Sequence, residues 1–182
     1  MIKILSALLL VTLTACSSLS IDISDIKTID KVAYNSASNS PYSGDVTSYY
    51  DNGTLKQRGH YHQGLRQGTW SAWYSSGQQQ YARHYHQGKK EGEQVEWYEN
   101  GQQKVASLFV GGKENGTSTS WYDSGQKKHQ WVMDQGQPAG TWIRWHKNGV
   151  KKEELHYLNG KKHGTLIKWN DTGEEVKRKQ YP

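Results

Sequence analysis

Large apolar positions and glycines fall into a pattern that restarts every 24 residues from Gly44 to the end of the sequence. Gly44, Gly68, Gly92, Gly116, Gly140 and Gly164 keep that interval, and two further glycine series keep it beside them. Between them run two ladders of large side chains. One is Tyr49, Trp73, Trp97, Trp121, Trp145 and Trp169; the other is Tyr61, Tyr85, Phe109, Met133, Tyr157 and Tyr181. Self-similarity at one period, with no insertion, marks an array in which each unit packs only on its neighbours.

Each unit reads as two strands. Residues 69–74 and 79–85 are rich in β-formers and too short for the helices of an all-α repeat. Ser75-Ser76-Gly77 separates them, and its counterparts Asp51-Asn52-Gly53, Glu99-Asn100-Gly101 and Lys147-Asn148-Gly149 carry the Asn-Gly hairpin signal. A strict two-residue loop would put Trp73 and Tyr85 on opposite faces. A type I turn with Gly77 as a left-handed bulge pairs Trp73 with Gln79, and the expectation is that it brings both ladders to one face. The fold class is therefore all-β: an elongated single-sheet meander of repeated hairpins over residues 42–182. Two buried aromatics supply on the order of 6 kcal/mol per unit. Backbone ordering costs roughly 1 to 2 kcal/mol for each residue, so single units cannot stand alone.

Ahead of the array, the sequence opens with Lys3, a short apolar run and Leu13-Thr14-Ala15-Cys16. The run is too short for a permanent membrane span and has the plan of a secretory signal. Its end resembles the bacterial lipobox, which implies cleavage after residue 15 and acylation of Cys16, the sole cysteine. Ser17 in place of Asp implies, by the same resemblance, an outer-membrane anchor facing the periplasm. Residues 16–41 read as the acylated Cys, a polar tether, and one irregular strand near Val32–Tyr34 that caps the first repeat; Pro138-Ala139 predicts local irregularity around residues 131–140.

Composition sharpens this picture in two ways. The 8 Trp and 12 Tyr stand against a single Phe, which suits a thin sheet with polar ring edges near water. Without Lys3 the chain carries 22 Lys and Arg against 17 Asp and Glu, a net charge of +5.

Trp97-Tyr98-Glu99-Asn100-Gly101-Gln102 and Tyr157-Leu158-Asn159-Gly160-Lys161-Lys162-His163-Gly164 resemble the MORN-variant repeat of bacterial lipoproteins. That resemblance covers residues 42–182 and extends to the YwqK-type, antitoxin-like family. It implies a meander curled into a trough and a protein partner, a toxin among the possibilities.

The candidate chemistry is sparse. His60-Tyr61-His62 and His84-Tyr85-His86 place pairs of imidazoles on one side of a strand. Equivalent strands lie roughly 9 to 10 Å apart, however, which disfavours a shared ion and favours a solvated polar face. No metal, cofactor or catalytic residue is expected. Arg66, Lys89, Lys90, Lys161 and Lys162 form a basic stripe along one edge, and Arg83 joins them as a candidate binding residue. The secretory leader argues against nucleic acid. The expected function is thus a non-enzymatic envelope lipoprotein, anchored in the membrane, that binds a protein; the alternative is a scaffold holding phospholipid or peptidoglycan on the basic edge.

Overall fold

In the computed structural model, which describes residues 20–182, nearly everything is strand. The leader and Cys16 lie outside the described residues. A short β1 (Ile21–Asp22), a 3-10 turn at Ile23–Asp25, β2 (Ile26–Ile29) and β3 (Val32–Asn35) come first. The array follows as β4 (Gly44–Tyr49), β5 (Leu55–His62), β6 (Leu65–Trp73), β7 (Gln79–His86), β8 (Lys89–Trp97) and β9 (Gln103–Val110). It continues as β10 (Lys113–Glu114), β11 (Gly116–Trp121), β12 (Lys127–Asp134), β13 (Gln137–Trp145), β14 (Lys151–Leu158), β15 (Lys161–Trp169) and β16 (Glu175–Tyr181). Among the described residues these build one 14-stranded sheet in which sequence neighbours pair antiparallel; β1 adds a parallel edge to β4, and β2–β3 form a separate hairpin. The expected meander of repeated hairpins is the architecture found.

Two kinds of turn alternate. At one edge the Gly53 N–H donates to the Tyr50 carbonyl and the Tyr50 N–H to the Thr54 carbonyl, both at 2.9 Å. With Gly53 at φ 82°, this is a type I turn closed by a left-handed glycine, as expected. At the other edge Gln63 and Gly64 both have positive φ, 48° and 77°, the two-residue turn whose twist matches that of the flanking strands.

The register corrects the expectation about the ladders. Trp73 does pair with Gln79, but Ala72 pairs with Tyr81, leaving Gln80 as an extra residue. Arg83 then faces Trp70, and Tyr85 faces Gly68. Alternation along β6 therefore sets Trp70 and Ala72 on the face of Tyr81 and Tyr85, and Trp73 on the other. The most deeply buried ring is Trp70, 0% exposed, whereas Tyr49 of the first ladder is 58% exposed. Trp70 lies where Gly59 leaves room: a Cβ on Gly59 would stand 2.2 Å from the indole. Its Nε1–H donates to the His60 carbonyl at 3.1 Å, beside the register shift between β5 and β6. Trp142 repeats that bond to Val132 at 3.0 Å, and the Gln94 amide repeats it to His84 at 3.1 Å.

Neighbouring units are clamped at both edges. The phenol hydroxyls of Tyr50, Tyr74, Tyr98 and Tyr122 donate to the carbonyls of Trp73, Trp97, Trp121 and Trp145 at 2.8–2.9 Å, and His146 Nε2 makes the same contact to Trp169. At the opposite edge each turn glycine donates its N–H to the preceding unit, from Gly64 to Tyr42 at 2.7 Å through Gly160 to Pro138 at 3.1 Å. Accepting that bond needs no N–H on Pro138, so β13 runs unbroken. Within the segment predicted to be irregular, the β12–β13 register does shift between Gln130 and Val132, as other units do between Arg58 and His60 and between Glu154 and His156. A break in the strand itself falls at Asn115, between β10 and β11, where the Asn115 N–H turns to the Leu108 carbonyl at 2.8 Å.

The tether reading is corrected as well, because residues 20–41 fold into a cap of more than one strand. Ala33, the expected strand among them, is 1% exposed and packs with Val46, Tyr61 and Trp70, while Ile21, Ile23, Ile26 and Tyr42 close around them. The Ala33 N–H donates to the Gly64 carbonyl at 2.8 Å. The cap thus covers the N-terminal end of the Trp70 face, here termed the core face.

Candidate binding face

The edge cations divide between the two sides of the turn. Arg66 stands on the core face opposite Tyr61, its guanidinium 4.3 Å from the Trp70 ring centre and 5.4 Å from that of Tyr85. Lys90 lies over Phe109 at 4.6 Å and Lys162 over Tyr181 at 5.5 Å. These three occupy one position of the repeat, but its intervening units carry Glu114 and Pro138, so the row is interrupted. Lys89 and Lys161 occupy the preceding position and are exposed. Arg83 stands apart from the edge, over the Tyr81 ring at 4.1 Å and ion-paired with Glu96.

The histidines of the two His-Tyr-His runs lie on the face opposite Trp70. His60 Nδ1 meets Asp45 at 2.8 Å, His84 Nδ1 meets Thr69 at 3.0 Å, and His86 Nδ1 meets the Gln67 amide at 3.3 Å. Three of the four imidazoles, those of His60, His84 and His86, are thereby engaged with a residue of the adjacent strand rather than turned toward another histidine. Among the described residues no group of three or more His, Cys, Asp or Glu could hold a metal ion.

Farther along the core face, beyond the cap, lies a groove of about 510 Å³. Its floor is built by Val105, Ser120, His129 and Trp131, and its rim by Lys128, Arg144 and Lys152. Cross-strand pairing sets His129 directly opposite both Ser120 and Arg144. Lys128 is the bulge residue of its hairpin, passed over where Trp121 pairs with Lys127 and Ser120 with His129. Lys152 is its counterpart one unit later, passed over between Trp145–Lys151 and Arg144–Glu153. The bulge that undoes the single-face ladder is therefore what sets two lysines on the groove's rim.

The rings of the groove hold one another in place. His129 stacks on Trp131 with centroids 4.8 Å apart and meets Trp142 edge-on at 5.5 Å, and Trp142 packs against Tyr157 at 4.7 Å. Ser118, opposite Trp131 and 0% exposed, provides the space for that indole. Glu114 accepts from both the Ser118 hydroxyl and Trp131 Nε1–H, the latter at 2.8 Å. Burial, reinforced by Arg144 and Lys128 and opposed by Glu153, lowers the His129 pKa to about 4. Its Nε2 is buried with no hydrogen-bond partner, consistent with a neutral ring near pH 7. Glu153, the carboxylate nearest Arg144, lies 3.9 Å from it but holds Lys168 at 2.6 Å.

Sequence reasoning missed the groove because it followed the residues that recur. Neither Trp131 nor Trp142 belongs to either 24-residue ladder, and Arg144 sits where other units carry Ala72, Glu96 and Ser120. The usable signal was this departure from period. The groove brings three cations together above stacked rings, an arrangement suited to holding an anionic group.

No curated protein matches the chain. Three segments of the array, residues 42–63, 90–105 and 139–159, match the family described as the MORN repeat variant.

Proposed function

We propose that this repeat protein is a non-enzymatic binding module of the cell envelope, tethered to the outer membrane through acylated Cys16, which docks an acidic surface of a partner protein on the uncapped part of its core face. The observation that carries the reading is charge asymmetry along the array. Residues 20–99 hold 8 Lys and Arg against 9 Asp and Glu, whereas residues 100–182 hold 14 against 8. Such a field steers an oppositely charged partner and raises its association rate. An antitoxin or immunity role is one form of this function, with a periplasmic toxin as the occluded partner.

The test is affinity capture from envelope extract at two salt concentrations. An acidic protein should be retained at low salt, lost when Lys168, Lys177 and Lys179 are changed to Glu, and kept when Lys27, Lys31 and Lys56 are changed in the same way. Equal loss with either triple variant would overturn the reading. The anchor is tested separately, since Cys16→Ala should abolish lipid labelling and release the protein from the membrane. The alternative scaffold role draws on Lys89 and Lys161 at the turn edge, and co-sedimentation with anionic vesicles or cell-wall sacculi would support it instead.

A further inference from the structure

We propose that the groove at His129 and Arg144 is a carboxylate subsite, taking an Asp or Glu side chain that the partner presents beside an apolar neighbour. The proposal rests on the uncapped core face being the docking face.

The groove, about 510 Å³, is of the size that holds a small ligand group. Lys128, Arg144 and Lys152 rim it, all three are exposed, and none of the residues lining it is a carboxylate. Glu153, directly opposite Arg144, holds Lys168 through one oxygen at 2.6 Å and reaches Arg144 with the other only at 3.9 Å, beyond hydrogen-bond distance. It therefore leaves the guanidinium's donors free for a closer carboxylate. Beneath the cations, Val105 and the stacked rings of His129 and Trp131 offer an apolar floor for the methylenes of an acidic side chain. A guanidinium presents paired donors that match a carboxylate.

The array itself indicates which anion belongs there. Two repeats upstream, the positions of His129, Trp131 and Arg144 are held by Tyr81, Arg83 and Glu96. There the guanidinium of Arg83 lies over the Tyr81 ring and is met by the Glu96 carboxylate. An equivalent bulged hairpin thus carries a cation, a ring and a carboxylate when it completes the set from its own sequence. In the later unit the cation and the rings are present, the chain's own Glu153 comes no nearer Arg144 than 3.9 Å, and the partner supplies the acid at hydrogen-bond distance.

The experiment titrates the full chain with 3-phenylpropionate, with its amide, and with inorganic phosphate, following the indole N–H resonances of Trp131 and Trp142. The carboxylate should shift both resonances saturably, and the amide should bind at least tenfold more weakly. Arg144→Gln should weaken the carboxylate at least tenfold while leaving the indole resonances dispersed. Joining Trp131→Arg to Arg144→Glu copies the upstream set and should remove binding; Arg144→Gln alone decides the matter if that double variant fails to fold. Equal affinity for acid and amide, or an unchanged Arg144→Gln, would overturn the subsite, as would phosphate binding at tenfold lower concentration than the carboxylate. Carboxylate binding without charge-dependent capture from extract would retain the subsite and remove the docking role; capture without carboxylate binding would do the reverse.

Discussion

At Tyr81, Arg83 and Glu96 the core face closes on itself, ring beneath guanidinium and guanidinium against carboxylate. Two repeats later the same positions carry His129, Trp131 and Arg144, and the face stays open around a cationic groove. The bulged hairpin is repeated, with Ala72 opposite Tyr81 upstream and Ser120 opposite His129 downstream, and the charge difference lies in side chains. The strand before the open patch differs as well, being interrupted at Asn115 where its counterpart β6 is continuous. Nearer the N-terminus the cap completes the contrast, with Ala33 seated against Val46 and Trp70. A repeat array offers nearly one geometry many times, and the proposed docking face lies where a unit leaves its set of charges and rings incomplete.

The largest way to break this comparison is to remove the equivalent rings Trp70 and Trp142. Trp70 is 0% exposed beneath the cap side, and truncation to Ala should cost about 3 to 5 kcal/mol. Trp142, only partly buried at the open end, makes the same indole bond to a carbonyl and should cost less, about 2 to 3 kcal/mol. Urea unfolding of the two variants measures the difference. Equal costs would mean that the open end is packed as tightly as the capped one and that its exposure carries no meaning.

Much of the fold was legible in the sequence because turn chemistry repeats. Gly53 and its counterparts announced the hairpins, their period announced the array, and Val32–Tyr34 announced a strand in the cap. The faces were not legible, since one unpaired residue, Gln80, reverses the relation between the Trp73 ladder and Tyr81, and no residue type marks such a bulge. The tether was misread for a related reason. Ile21, Ile23 and Ile26 have no periodic pattern of their own, and their burial exists only against Val46 and Trp70, which lie far along the chain. The groove stayed hidden because Trp131, Trp142 and Arg144 are departures from the repeat, and periodicity discards departures first.

A smaller effect sharpens the comparison through pH. Burial holds His129 neutral in the folded protein, with its pKa lowered from 6.5 to about 4, so the unfolded chain binds the proton more readily. The stability this confers is fully present above about pH 6.5 and is lost as pH falls toward 4, by at most about 3 kcal/mol. Tyr81, at the equivalent upstream position, has its pKa raised by burial and stays uncharged throughout that window. Replacing His129 with Tyr should therefore flatten the stability profile between pH 6.5 and 4. An unchanged slope would place the acid sensitivity elsewhere and deny the open patch its distinct electrostatics.

The smallest effect tests whether the scaffold beneath the two patches is indeed the same. Tyr74 Oη donates to the Trp97 carbonyl at 2.9 Å, and Tyr122 Oη to the Trp145 carbonyl at 2.8 Å. Removing either hydroxyl with Phe leaves the ring in place, along with the Lys128 ammonium 5.7 Å from the Tyr122 ring centre. Only the clamp between neighbouring hairpins is lost, at about 1 kcal/mol. If the patches differ in side chains and not in backbone, Tyr74→Phe and Tyr122→Phe should shift the unfolding midpoint equally. A disparity beyond about 0.5 kcal/mol, the usual limit of additivity for independent sites, would show that the open patch rests on a weaker joint between its units. Its exposure would then reflect local loosening of the array rather than a surface kept free for a partner.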